Sequence, residues 1–305
     1  DCKENSGKIT HGIKEDGTKY TGNGVLVSGG TFIMTGGTIS GNEVGQGGGV
    51  KLESGASFTM TGGTISGNRS TSHGGGVAVG GTCSFTMNGG TIGGDAEGDA
   101  NTAGGSGGGV FVGAASFTMT GGTIKGNQSD SDGGGIYLDY KINIYISGTP
   151  VITGNKKGDA TNNLYLYSGT VTITDKLGEG AIIGVTPDSK PTERKSVQIA
   201  QGNGDEYGVT ADDAKKFVAD DTSQEYEFVV DSSNNTIMMQ IPKPHTHYLC
   251  GGESCDGKNH PAEENMTTFS KWTETNSLPT EGTYYLSENV TLTTAHVLTG
   301  NLILD

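Results

Sequence analysis

The chain has 305 residues and carries 19 Lys and Arg against 34 Asp and Glu, a formal charge of −15. Its few cations are dispersed, which excludes a phosphate-tracking nucleic-acid surface and disfavours an anionic lipid surface. No apolar run approaches the roughly 18 residues of a membrane-spanning helix, so neither nucleic acid nor a membrane span is expected.

Glycine accounts for 55 residues, against roughly 7% in an average protein. These glycines recur at fixed places between short apolar runs. In chain order, TFIMTGGTISGN at Thr31 returns as SFTMTGGTISGN at Ser57, SFTMNGGTIGGD at Ser84 and SFTMTGGTIKGN at Ser116, then degenerates to NIYISGTPVITGN at Asn143 and TVTITD at Thr170. The anchors Phe32, Phe58, Phe85, Phe117, Ile144 and Val171 lie 26, 27, 32, 27 and 27 residues apart. A second phrase fills each interval: GGGVKL, GGGVAV, GGGVFV, GGGIYL and NNLYL. Each repeat thus holds three short runs of period-two alternation separated by glycine-rich turns. Runs this short bury no face alone, so coils must stack about 4.8 Å apart into three parallel sheets. The expected fold is all-β, a right-handed parallel β-helix of three short strands per coil of about 27 residues, with seven coils spanning roughly 34 Å.

The glycines at Gly62–Gly63 and Gly74–Gly76 are expected to supply positive φ at corners. Asn42, Asn68, Asn127 and Asn155, with Asp95 in the same place, fall at equivalent corners as a hydrogen-bonded side-chain ladder or as left-handed turn residues. With Phe58 and Met60 inward, Thr59 and Thr61 point out, as do Thr86 with Asn88, Thr118 with Thr120, Tyr145 with Ser147 and Thr172 with Thr174. Such a threonine ladder admits an ice-binding face as a remote alternative, although threonine is also a good exposed strand former. In the GGGV strands the same alternation puts Lys51, Ala78, Phe111, Tyr137 and Tyr165 in one outward column, with Asp139 and Tyr167 two residues further along. Exposed aromatics stack on sugar rings or anchor a partner, so Phe111, Tyr137, Asp139, Tyr165 and Tyr167 form the candidate ligand surface; the competing reading is that the rings stack on one another. The acidic residues Asp95, Glu97, Asp99, Asp130 and Asp132 are candidate calcium ligands, accompanied in sequence only by Lys125. His11, His73, His296 and Cys83 read as structural.

From 175 to 240 the repeat fades into terminal coils and a cap, with a short helix over Thr210–Phe217 opened by Thr210 as N-cap and Asp213 three residues on. Domain boundaries are read at 1–240 for the β-helix with its cap, 241–262 for a His/Cys-rich linker, and 263–305 for the start of a second β-rich domain. In the linker, His247, Cys250, Cys255 and His260, with His245 as substitute, suit a structural tetrahedral zinc; a Cys250–Cys255 disulfide is the competing reading.

These phrases resemble the pectin-lyase-like right-handed β-helix superfamily, in particular the FTMTGGTISGN…GGGVYV repeats of large cell-surface proteins of Gram-positive gut-type bacteria, and more loosely the repeats of chlamydial polymorphic outer-membrane proteins. The resemblance covers roughly residues 7–175. It implies an extracellular location, secreted or at the cell surface, and an adhesin-like role with host or microbial glycans or surface proteins as partners. The expected function is a non-catalytic rigid stalk or binding surface. The alternative is a carbohydrate-active β-helix enzyme, a polysaccharide lyase or glycoside hydrolase, which requires paired carboxylates or calcium ligands beside a basic residue. No organic cofactor is expected.

Overall fold

The computed structural model describes residues 7–242 apart from 13, 140, 141 and 205, and beyond them the backbone of four strands. In each FTM phrase the alternation buries the Phe and the Met: Phe58, Met60, Phe85, Met87, Phe117 and Met119 are all buried. Successive coils pair in parallel with like residues opposed, Phe32 to Phe58, Phe58 to Phe85, Phe85 to Phe117 and Phe117 to Ile144. Phe32, Phe58, Phe85 and Phe117 therefore form an internal stack with centroids 4.9, 4.7 and 4.8 Å apart, the spacing of hydrogen-bonded strands. The GGGV strands from Val25–Ser28 to Leu164–Leu166 make a second parallel column. The TIS strands from Thr38–Ser40 to Val151–Thr153 make a third. The result is a right-handed parallel β-helix of about seven coils with three principal strands each. A two-residue ladder from Glu43–Val44 to Lys156–Lys157, not foreseen in the repeat, pairs just past each asparagine corner.

The glycines divide between two duties. Gly63 and Gly74 adopt positive φ, at +86° and +68°. Gly75 does not; a Cβ there would stand 2.5 Å from the carbonyl oxygens of Gly108 and Thr102, so the corner needs glycine because adjacent coils pass too closely for any side chain.

The corner asparagines form a continuous buried ladder. Each Nδ2 donates to the Oδ1 of the next coil's asparagine at 2.9 Å, running Asn42, Asn68, Asn101, Asn127, Asn155 and Asn163. Asp95 is not a member: the extra residues of the long coil bulge out after Gly93, and Asn101 at the end of that insertion takes the position. The ladder terminates on Asp220, which accepts from the backbone N–H and the Nδ2 of Asn163, both at 2.6 Å, and from the Thr186 hydroxyl at 2.6 Å. Every amide points the same way, so Asp220 sits at the donor end of an aligned chain of dipoles. Burial pushes its carboxyl up, and the three donors pull it back.

Beyond Val171–Leu177 the chain closes its own end. Val197–Gly202 adds one more parallel strand to the phenylalanine sheet, and Thr236–Gln240 and Glu227–Asp231 follow antiparallel. The helix spans only Ala211–Ala214, with Thr210 and Asp213 in a reciprocal capping box. It stops short of the expected Phe217 because that ring is buried and belongs to the strand Phe217–Ala219, paired with Ile183–Val185. Asp213 also accepts from the Leu177 N–H at 3.0 Å and the Tyr207 hydroxyl at 2.9 Å, locking the cap onto the last coil.

The chain divides into two compact units, Asp1–Ile241 and Pro242–Asp305. In the second, His245–Tyr248 pairs antiparallel with Met266–Trp272, which is followed in parallel by Gly282–Leu286 and Leu302–Leu304.

Candidate functional site

The outward GGGV column brings Phe111, Tyr137 and Tyr165 into direct register. Their centroids lie 5.8 Å apart with ring planes within 8° of parallel. A fourth ring joins from a residue that sequence reasoning set aside: His73 stacks on Phe111 at 4.7 Å, and its Nδ1 accepts from the Ser106 N–H at 3.0 Å. Its signal was obscure, because His73 lies on the turn before its strand, in the place held by Gln46 and Ser106 in neighbouring coils. Neighbouring rings face one another, so Phe111 and Tyr137 present mainly edges and a hydroxyl, and one face of Tyr165 is engaged by Tyr137. The Tyr165 hydroxyl donates to Asp188 at 2.7 Å. Burial first, then Asp139 and Asp132, push the Tyr137 hydroxyl up; burial and the bond to Asp188 do the same for Tyr165. Asp139 and Tyr167 lie on the exposed margin of this column.

The outer face of the phenylalanine sheet is different in kind. Its central column runs Ile33, Thr59, Thr86, Thr118, Tyr145 and Thr172, and beside it stand Thr35, Thr61, Asn88, Thr120 and Ser147. From Thr31 to Ser147 no outward position on this sheet carries a charge. Hydroxyls and amides link along the columns, Thr31 to Ser57 and Thr120 to Asn88, each at 2.9 Å. Ile33 is 61% exposed and Tyr145 38% exposed, whereas Thr172 is buried where the cap begins. Tyr145 stacks on no other ring among the described residues.

The acidic loops do not converge. Asp95 pairs with Lys125, Asp132 with Lys157 at 2.8 Å, and Asp99 accepts from the nearby Ala96 N–H at 3.3 Å. Among the described residues no three His, Cys, Asp or Glu side chains gather as a metal site. Cys83 is a buried free thiol facing the core in the small-residue place. Of the predicted zinc ligands, His245 and His247 fall on the strand His245–Tyr248, two residues apart; Cys250, Cys255 and His260 lie outside the described residues.

No described helix is long and apolar enough to cross a membrane. Comparison with protein-family models, curated proteins and solved structures finds no match, so the likeness to known β-helix proteins rests on the repeat phrases and the coil architecture.

Proposed function

We propose that this chain is a non-catalytic, extracellular module: a rigid β-helical stalk with an adhesive side, of the kind carried by large bacterial surface proteins. The observation that carries the reading is the asparagine ladder. Six buried carboxamides in one unbroken chain, ending on Asp220, tie every coil to the next with bonds that bending or shearing must break. The internal phenylalanine stack adds a second continuous spine. Rods of stacked repeats commonly space and present binding surfaces. The separate placement of the acidic loop residues, with Asp95 and Asp132 each paired to a different lysine, supports a non-catalytic reading over a lyase or hydrolase, which needs its carboxylates converged.

Two measurements test it together. Amide hydrogen exchange should be uniformly slow at Asn68, Asn101 and Asn127, whose N–H groups bond within the ladder, because a rigid rod has no weak coil. Prolonged incubation with neutral and acidic polysaccharides should release no reducing or unsaturated ends. Turnover of any polysaccharide overturns the reading.

A further inference from the structure

Resting on that adhesive reading, we propose that the outer face of the phenylalanine sheet, centred on Tyr145, is the binding face, and that its partner is a neutral polysaccharide. The first ground is charge. The chain carries −15 overall, yet this face holds only hydroxyls, amides, Ile33 and Tyr145 across five coils. An acidic glycan gains no counter-charge here, and a cationic partner gains none either, so a neutral, hydrogen-bonding surface is the complement.

The second ground is ring availability. Sugar rings stack on an open aromatic face flanked by polar groups. In the Phe111–Tyr137–Tyr165 column both faces of Phe111 and Tyr137 and one face of Tyr165 are set against a neighbouring ring. Tyr145 is the one ring in this column, whose other interruption is the aliphatic Ile33; it is exposed and unstacked among the described residues, with Thr118 in register on one side and the buried Thr172 on the other. Repeating hydroxyls spaced about 4.8 Å from coil to coil offer an extended chain many equivalent hydrogen bonds.

The third ground is area, which argues against a second copy as occupant. Five coils of a strand five residues wide give roughly 400 Å² per face, so about 800 Å² for a pair, below the 1,200–2,000 Å² of stable protein interfaces.

The test is sedimentation of the intact chain with insoluble cellulose, chitin, β-1,3-glucan and mannan, and with calcium pectate as the acidic comparison. At least one neutral polysaccharide should bind saturably and equally well at low salt and in about 1 M NaCl, where the Debye length is about 3 Å. Tyr145→Ala and Thr118→Lys should each weaken binding at least about tenfold while leaving the melting temperature close to the parent's. Tyr137→Ala should leave binding unchanged. Absence of binding to every neutral polysaccharide, salt-sensitive binding, preference for pectate, binding lost with Tyr137→Ala but kept with Tyr145→Ala, or a dimer blocked by Thr118→Lys would each overturn the assignment. A failure of the face leaves the non-catalytic rod standing, since that reading is tested separately by hydrogen exchange along the ladder and by release of sugar ends.

Discussion

Replacing Asn127 by Ala probes the ladder at its middle. Its Oδ1 accepts from the backbone N–H of Asn101 at 3.3 Å and from the Asn101 side chain at 2.9 Å. Its Nδ2 donates to the Ile92 carbonyl at 3.0 Å, the Lys125 carbonyl at 3.1 Å and Asn155 Oδ1 at 2.9 Å. In the Ala variant, Asn101 Nδ2 retains the Ile65 carbonyl, and Asn155 Oδ1 retains the residue-127 N–H. The Asn101 N–H loses its ladder acceptor in a buried site, which costs about 1–3 kcal/mol, and the other lost bonds contribute roughly 0.5–1.5 kcal/mol each. Allowing for partial relaxation, the loss should be about 3–5 kcal/mol, at the upper end for a single substitution. Asn127→Asp should be worse at neutral pH, because a carboxylate oxygen then faces three acceptors. Burial and the three acceptors facing its second oxygen raise that carboxyl, so the Asp variant should lose stability as pH rises from about 4 and recover it on acidification. Urea unfolding followed by circular dichroism gives the comparison, with exposed Gln128→Ala expected within about 0.5 kcal/mol of the parent. A loss below about 1 kcal/mol for Asn127→Ala, or equal stability of the Asp and Ala variants at pH 7, would refute a cooperative ladder.

Phe85→Ala removes the middle of the internal stack and should cost about 3–5 kcal/mol in the same assay; a cost near that of an exposed substitution would mean the rings do not pack as a unit. Tyr207 has its hydroxyl pushed up to about 12 by burial and its bond to Asp213. Spectrophotometric titration of the parent against Tyr207→Phe should therefore assign it a midpoint well above the usual 10. Its contribution to cap stability is complete below pH 10 and disappears as pH rises through 12; a midpoint near 10 would break the link to Asp213. For the linker we propose a structural zinc on His247, Cys250, Cys255 and His260. Plasma mass spectrometry should find about one zinc per chain with both cysteines titrating as thiols, while no zinc and no free thiol there would make it a disulfide-closed loop.

The repeat phrases alone determined the coil, its three strands, the inward Phe and Met and the outward threonines, because strict period-two alternation at a 27-residue interval leaves one arrangement that buries every apolar run. The asparagine corners were legible as a ladder for the same reason. Its true membership was not: Asp95 follows the phrase in sequence, but the insertion after Gly93 delays the corner until Asn101, and only the closed backbone shows which residue arrives there. The ladder's terminus on Asp220, 57 residues beyond Asn163, depends on a segment that carries no repeat to read, and the His73 ring on Phe111 comes from a repeat position that holds Gln46 and Ser106 in neighbouring coils and so shows no aromatic pattern. The aromatic column was visible in the spacing of Phe111, Tyr137 and Tyr165, but ring orientation decides whether faces or edges meet solvent. That orientation is set by packing between coils, which no linear pattern encodes.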